Sequence, residues 1–231
     1  MLGEVYDIYE TFLSETHLLI GGTTGSGKSV VINGMIYNLL YNDPNEYRMV
    51  LIDPKMVSLM KYRNLPHVER YANTERDMIK AIRDVEAEMM RRYSVMTYEG
   101  EEDYSGGHIY VFIDELSDLM TTCRKDIILP LRRIAQLGRA AKIHLVCATQ
   151  RPSAIVIPPE IRCNFTGKVG LHCMSVRESE MIIDDSRLVS LPKYGNCIAQ
   201  IGGEDLGRLE VPMYTKDEIR EVIAHWEALA A

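Results

Sequence analysis

"IGGTTGSGKSVVINGM", residues 20–35, decides the fold. Gly22, Gly25, Gly27 and the pair Lys28-Ser29 lie between a short apolar run, His17-Leu18-Leu19-Ile20, and a helix-like stretch from Val30 to Leu40. Gly22-Thr23-Thr24-Gly25-Ser26-Gly27-Lys28-Ser29 matches G-x-x-x-x-G-K-[ST], with the strand before and the helix after that this motif requires. The glycines let the backbone curl until several N–H groups point inward at phosphate oxygens. The helix start adds partial positive charge. Residues 22–30, through Val30, therefore read as a cradle for ATP. Lys28 is expected on the β- and γ-phosphates, and the Ser29 hydroxyl on Mg2+.

Outward from the loop, apolar strand-like runs alternate with helical segments. Arg48–Asp53 reads as a second strand closed by Pro54, "HIYVFIDE" (108–115) as a third and "KIHLVCAT" (142–149) as a fourth. "FTGKVGLHC" (165–173) reads as a fifth, and residues 196–212 as a closing β-hairpin. Thr74–Tyr93 is the clearest helix: Thr74 is an N-cap with Asp77 three residues on, and Met78, Ile82, Val85 and Met89 share one face. Another helix carries Ile127, Ile128, Leu131, Ile134 and Ala135 with Arg132 and Arg133, and Pro130 predicts a later start or a kink there. "TYEGEEDYSGG" (97–107) reads as an exposed loop. Residues 215–229 form a last helix. Nearly all-apolar strands alternating with helices mark a mainly parallel sheet covered on both faces. With no repeat, low-complexity tract or linker, the expectation is one α/β domain over 1–231, its core about 17–212.

A phosphate loop needs a second carboxylate strand. "IYVFIDE" delivers Asp114 to the carboxyl end of the sheet, where ligands of open α/β sheets gather. Asp114 is the expected Mg2+ carboxylate. Glu115, next in line, is the candidate general base for a water. An adjacent Asp-Glu pair favours hydrolysis over phosphoryl transfer to a second substrate. Gln150 ends the fourth strand; if that strand lies between the loop strand and the Asp-Glu strand, its amide reaches the γ-phosphate, and otherwise it is a polar strand end. Arg139 follows a helix end at Gly138. It reads equally as a cation complementing the helix dipole and as a finger reaching a neighbouring subunit's nucleotide.

The 231 residues carry a net charge of −7, which argues mildly against a polyanionic partner. The acids concentrate in Glu99–Asp103 and Glu204–Glu221, whereas Arg132, Arg133, Arg139, Lys142 and Arg151 fall in one short stretch running to the sheet's active edge. Five cysteines without CxxC spacing read as reduced core thiols of a cytoplasmic protein. Six scattered histidines lack metal-ligand spacing. No apolar run is long enough to span a bilayer, so no direct membrane insertion is expected.

"GTTGSGKS", "LIDPK" (51–55), "FIDELSDLM" (112–120), "RIAQLGRAAKIHLVCATQRPS" (133–153) and "IPPEIRCNF" (157–165), in this order, resemble the motor domain of the FtsK/SpoIIIE DNA translocases. The resemblance covers nearly all of residues 17–200, and Trp226 sits about where such motor domains end. It implies a RecA-like P-loop NTPase that works as a homo-oligomer, a hexameric ring, moving double-stranded DNA by ATP hydrolysis. It makes Arg139 the trans-acting arginine and Arg151 a pore-loop contact to the DNA backbone. The family's second pore loop is basic, S-K-x-D-S-R-like. Here "SVRESEMIIDD" (175–185) offers Arg177, with Glu180 where the arginine is expected, so Arg177 and Lys168 are the substitute DNA contacts. Glu180 keeps an alternative open: a secretion-system or conjugation coupling ATPase of the same superfamily. The resemblance also leaves about sixteen residues ahead of the core, and no winged-helix module or membrane-spanning segment within the chain.

Overall fold

A computed structural model describes residues 7–230, so residues 1–6 and 231 of the expected domain lie outside the described residues. The elements in order are α1 (Asp7–Leu13), β1 (His17–Gly21), α2 (Lys28–Leu39), β2 (Tyr47–Ile52), β3 (Val68–Ala72), α3 (Glu75–Glu99), β4 (His108–Ile113) and α4 (Leu116–Thr122). They continue with α5 (Arg124–Leu137), β5 (Ile143–Thr149), α6 (Pro159–Arg162), β6 (Gly167–Leu171), α7 (Val176–Ile183), β7 (Asn196–Ile201), β8 (Glu204–Glu210) and α8 (Lys216–Ala230). The eight strands form one sheet in the order β3-β2-β4-β5-β1-β6-β7-β8. β3 through β6 run parallel, and the β7–β8 hairpin adds antiparallel to β6.

The sheet is covered on both faces, as its apolar strands require. One face holds Leu18, Ile20, Met49, Leu51, Phe112, Val146 and Val169 against α1, α2 and α8. The other holds Leu19, Val50, Ile52, Val111, Ile113, Leu145 and Cys147 against α3, α4 and α5. The alternation of Leu18, Leu19 and Ile20 between the two cores is the period-two pleat at work. Four of the five cysteines are buried and Cys163 is exposed; all five are free thiols.

Several local expectations change. Thr74 caps α3, its hydroxyl accepting from Asp77 N–H at 3.2 Å, but the helix runs on to Glu99 and takes the first residues of the expected loop with it. Arg92 explains the extension: fully buried, it donates to Gly107 O at 2.8 Å and Ala141 O at 2.7 Å, and binds Glu88 at 2.9 Å. Burying that guanidinium demands such partners and fixes the last turns of α3 against the loop. α5 starts at Arg124, six residues before Pro130, rather than after it. Ile127, Leu131 and Ile134 are all fully buried, and their burial outweighs the single backbone bond that Pro130 removes. Residues 175–185, read as a loop, hold α7: Ser175 and Glu178 form a reciprocal capping box. The polar strand β3, at the sheet edge, has no alternating pattern that marks it.

Candidate functional site

β1 delivers the glycine loop to the carboxyl edge of the sheet. Gly22 sits at φ 155°, and a Cβ there would lie 2.7 Å from Ser26 Oγ and 2.9 Å from Leu171 Cβ. Gly27 sits at φ 117°, where a Cβ would meet Leu171 at 3.1 Å and Gly195 N at 3.3 Å. Both positions are strained for any residue with a side chain. Thr23 N–H donates to His172 O at 2.9 Å, tying the loop to the chain after β6. The first N–H groups of α2 have no intrahelical acceptor by geometry and point to the same side. Lys28 is buried and donates to Gly22 O at 2.5 Å and Thr23 O at 2.8 Å. Burial pulls its ammonium down to about 8, against the opposing pull of Glu115 and Asp114.

β5 lies between β1 and β4, with Gly21 beside Thr149 and Ile113 beside Cys147. That order brings Gln150 beside the loop: Thr24 Oγ1 donates to Gln150 Oε1 at 2.6 Å. Glu115 is 1% exposed and forms the N-cap of α4. Its Oε1 accepts from Ser117 Oγ at 2.6 Å, Thr149 Oγ1 at 3.0 Å and Gln150 N–H at 3.1 Å. Asp114 is half-buried. Desolvation raises its carboxyl above the usual range, Asp53 and Glu115 add to the rise, and Ser58 and Lys55 oppose it. Ser29 is exposed at the start of α2.

Ser29 and Asp114 offer oxygen donors only, and no cluster of three or more His, Cys, Asp or Glu suited to a metal occurs among the described residues. Two protein oxygens suit magnesium, which keeps waters and phosphate oxygens in its shell. The raised Asp114 carboxyl is the property expected of a ligand whose charge a cation would relieve.

Two features of the site are absent from the sequence reading. A cleft of about 920 Å³ opens beside the loop, between Thr24, Gly25, Lys28, Ser29 and Val30 on one side and Tyr194, Gly195 and residues 210–213 on the other. Tyr194 stands at its mouth, 82% exposed. The expected hairpin thus builds a wall of the site, which its sequence did not signal. The second feature is Lys55, whose Nζ lies 3.4 Å from Glu115 Oε2 and 3.6 Å from Asp118 Oδ2. The signal for it was "LIDPK", read for resemblance alone.

The remaining named residues divide by location. Arg151 is exposed just past β5, its N–H donating to Thr149 Oγ1 at 3.1 Å, and Arg177 is exposed in the first turn of α7. Among the described residues neither side chain has an ion-pair partner. Lys168 does: with Arg162 it pairs to Asp184, at 2.5 Å and 2.6 Å, and so differs from the free phosphate contact expected of it. Arg139 is exposed at the amino end of β5, a seven-residue strand about 20 Å long, so it stands at the opposite edge of the sheet from its own Lys28. Arg133, in the same basic stretch, is tied to Glu86 of α3 at 2.9 Å.

The FtsK/SpoIIIE family model matches residues 4–109 and 101–154. DNA translocase FtsK of Helicobacter pylori (strain J99) is 41% identical over 223 residues, which is 90% of this chain and 26% of that protein. DNA translocase SpoIIIE of Bacillus subtilis (strain 168) is 33% identical over 231 residues, 90% of this chain and 29% of that protein. The chain thus spans between a quarter and a third of the length of these relatives. Among solved structures, the pCW3 conjugation coupling protein TcpA with ATPγS superimposes with a TM-score of 0.79 at 21% identity, covering 92% of this chain and 66% of that one. The cytoplasmic domain of the Thermomonospora curvata type VII secretion ATPase EccC does so with a TM-score of 0.74 at 20% identity, covering 91% and 28%. These likenesses establish the P-loop ATPase fold.

Proposed function

The chain belongs to the FtsK/SpoIIIE family, and on that premise we propose that it is a magnesium-dependent ATPase that moves double-stranded DNA. The observation that carries the reading is the convergence of Lys28, Ser29, Asp114, Glu115 and Gln150 on one edge of the sheet from three adjacent strands, β1, β4 and β5. Lys28 binds the phosphates, and the loop from Thr24 to Val30 wraps them. Ser29 and Asp114 would hold Mg2+, which would supply positive charge to offset that of the phosphates. Glu115 takes a proton from water as the water oxygen bonds to the γ-phosphorus and the bond to the bridging oxygen breaks, leaving ADP and phosphate. Gln150, touching both the loop and Glu115, registers whether the γ-phosphate is present. Residues 17–212 with α8 act as one motor domain of a homo-oligomeric, hexameric ring in the cytoplasm. Arg139 completes the neighbour's site, and Arg151 and Arg177 grip the DNA backbone.

A second reading keeps the ATPase and changes the cargo to protein or nucleoprotein. It is favoured by the rim around Arg177, where Met174 is 79% and Val176 48% exposed and Glu180 carries the opposite charge. Steady-state ATP hydrolysis against double-stranded DNA concentration, at low and moderate salt, separates the two. Stimulation that fades with salt is expected for a phosphate-gripping motor. Turnover indifferent to DNA but raised by a peptide selects the second reading.

A further inference from the structure

Glu115 has more donors around it than a proton-accepting carboxylate needs for orientation. Oε1 accepts from Ser117 N–H at 3.4 Å, Ser117 Oγ at 2.6 Å, Thr149 Oγ1 at 3.0 Å and Gln150 N–H at 3.1 Å, so its lone pairs are filled from within the fold. Among the described residues Oε2 receives only a share of the Gln150 N–H, at 3.2 Å, and the Lys55 ammonium at 3.4 Å. A water that is to lose a proton to Glu115 must therefore approach Oε2, the oxygen on which Lys55 sits.

The loop that carries Lys55 is built to hold it there. Asp53, fully buried at the end of β2, accepts from Leu59 N–H at 3.0 Å and Tyr71 OH at 3.3 Å. Pro54 fixes the next φ. Met56, directly after Lys55, sits in the left-handed region at φ 56°, and its N–H donates back to Asp53 O at 3.1 Å. A non-glycine residue held at positive φ marks a backbone over-determined by its surroundings. The side chain itself is looser: it is 41% exposed and lies between two acids, Glu115 and the 45% exposed Asp118, at 3.4 Å and 3.6 Å.

We propose that Lys55 is a positioning residue that competes with water for Oε2 of Glu115, and that Asp118 is the alternative partner that draws it off. Turnover then depends on how Lys55 divides its time between the two carboxylates. Orientation of Glu115 does not need Lys55, because Ser117, Thr149 and Gln150 provide it. The proposal rests on the reading of Glu115 as the base in ATP hydrolysis.

The two partners give opposite predictions. With the whole chain at saturating ATP and magnesium, Lys55→Met is expected to raise kcat about three- to fivefold, the range a half-exposed ion pair carries, with KM within about twofold of the parent. Asp118→Asn is expected to lower kcat by a similar factor. The double variant should behave like Lys55→Met, because Asp118 acts only through Lys55. Lys55→Arg should stay within about twofold of the parent. A merely structural pair would shift both single variants in the same direction. If both lose turnover, or neither changes it, the assignment of Lys55 is overturned while the ATPase reading stands. If the parent's hydrolysis survives Glu115→Gln, or the parent does not hydrolyse ATP, both are overturned.

Discussion

Tyr194 is the residue whose function a substitution reads most directly. Exposed at the mouth of the cleft beside the glycine loop, it shares one wall with Val211, Pro212 and Met213, opposite Val30. An aromatic face among apolar walls, next to a phosphate cradle, suits a purine base. Tyr194→Ala should weaken ATP binding about five- to tenfold, as expected for the loss of one stacking contact, while Tyr194→Phe binds like the parent. Fluorescent-nucleotide titration checks this, and equal affinity in both variants places the base elsewhere. Gly195 N–H donates to Ser26 O at 3.4 Å and Gly195 O accepts from Val211 N–H at 2.7 Å, so Tyr194 is seated by backbone on both the loop and the residue that follows β8. A substitution at Tyr194 thus tests the side chain rather than the fold.

At the scale of elements, the amino ends of β1, β4 and β5 carry three histidines. His17 accepts from Leu145 N–H at 2.9 Å, and His108 Nδ1 and His144 Nε2 share a hydrogen bond at 2.8 Å. Burial pulls His17 down to about 3 and His144 to about 4, with His144 and His108 respectively adding to each. Below the ordinary value near 6.5 the unfolded chain takes protons that the folded chain refuses, so stability falls with falling pH. Between about pH 6.5 and 4 the two histidines should remove roughly 2–3 kcal/mol per pH unit together. Thermal melts across this window should show the fall, and His144→Gln should flatten it by about half. This contact sits where the sequence was least informative. The glycine loop, "IYVFIDE" and the Thr74 cap were legible because a motif, an apolar run and an N-cap each carry a local physical signal. β3 was not, since an edge strand reading "VERYA" buries little. α7 does carry a local signal, the capping-box spacing of Ser175 and Glu178. The cleft behind Tyr194 had no local signal at all, because it forms only when residues 194–195 and 210–213 fold back across the loop.

For the molecule as a whole, the sheet separates two sets of residues by the length of a strand. Lys28, Asp114, Glu115 and Gln150 lie at its carboxyl edge, and Arg139 at its amino edge. On the proposed function, a chain with this layout would complete its site with a second copy. Arg139→Ala should therefore bind ATP like the parent yet hydrolyse it at least tenfold more slowly. Mixing Arg139→Ala with Glu115→Gln should restore part of the activity that each lacks alone, because some interfaces then pair an intact glutamate with an intact arginine. Mixtures no more active than their components would assign Arg139 to its own helix end. β5 gives this arrangement a mechanical meaning. Thr149 and Gln150 touch Glu115 at one end, and the turn carrying Arg139 leads into the other end of the same seven-residue strand. All seven residues of that strand are buried between β1 and β4, which makes it a stiff connection between the two ends. If Arg139 serves a neighbour's site as proposed, each hydrolysis event would shift the arginine offered next door, and the stiffness of a single strand would set the timing between neighbours.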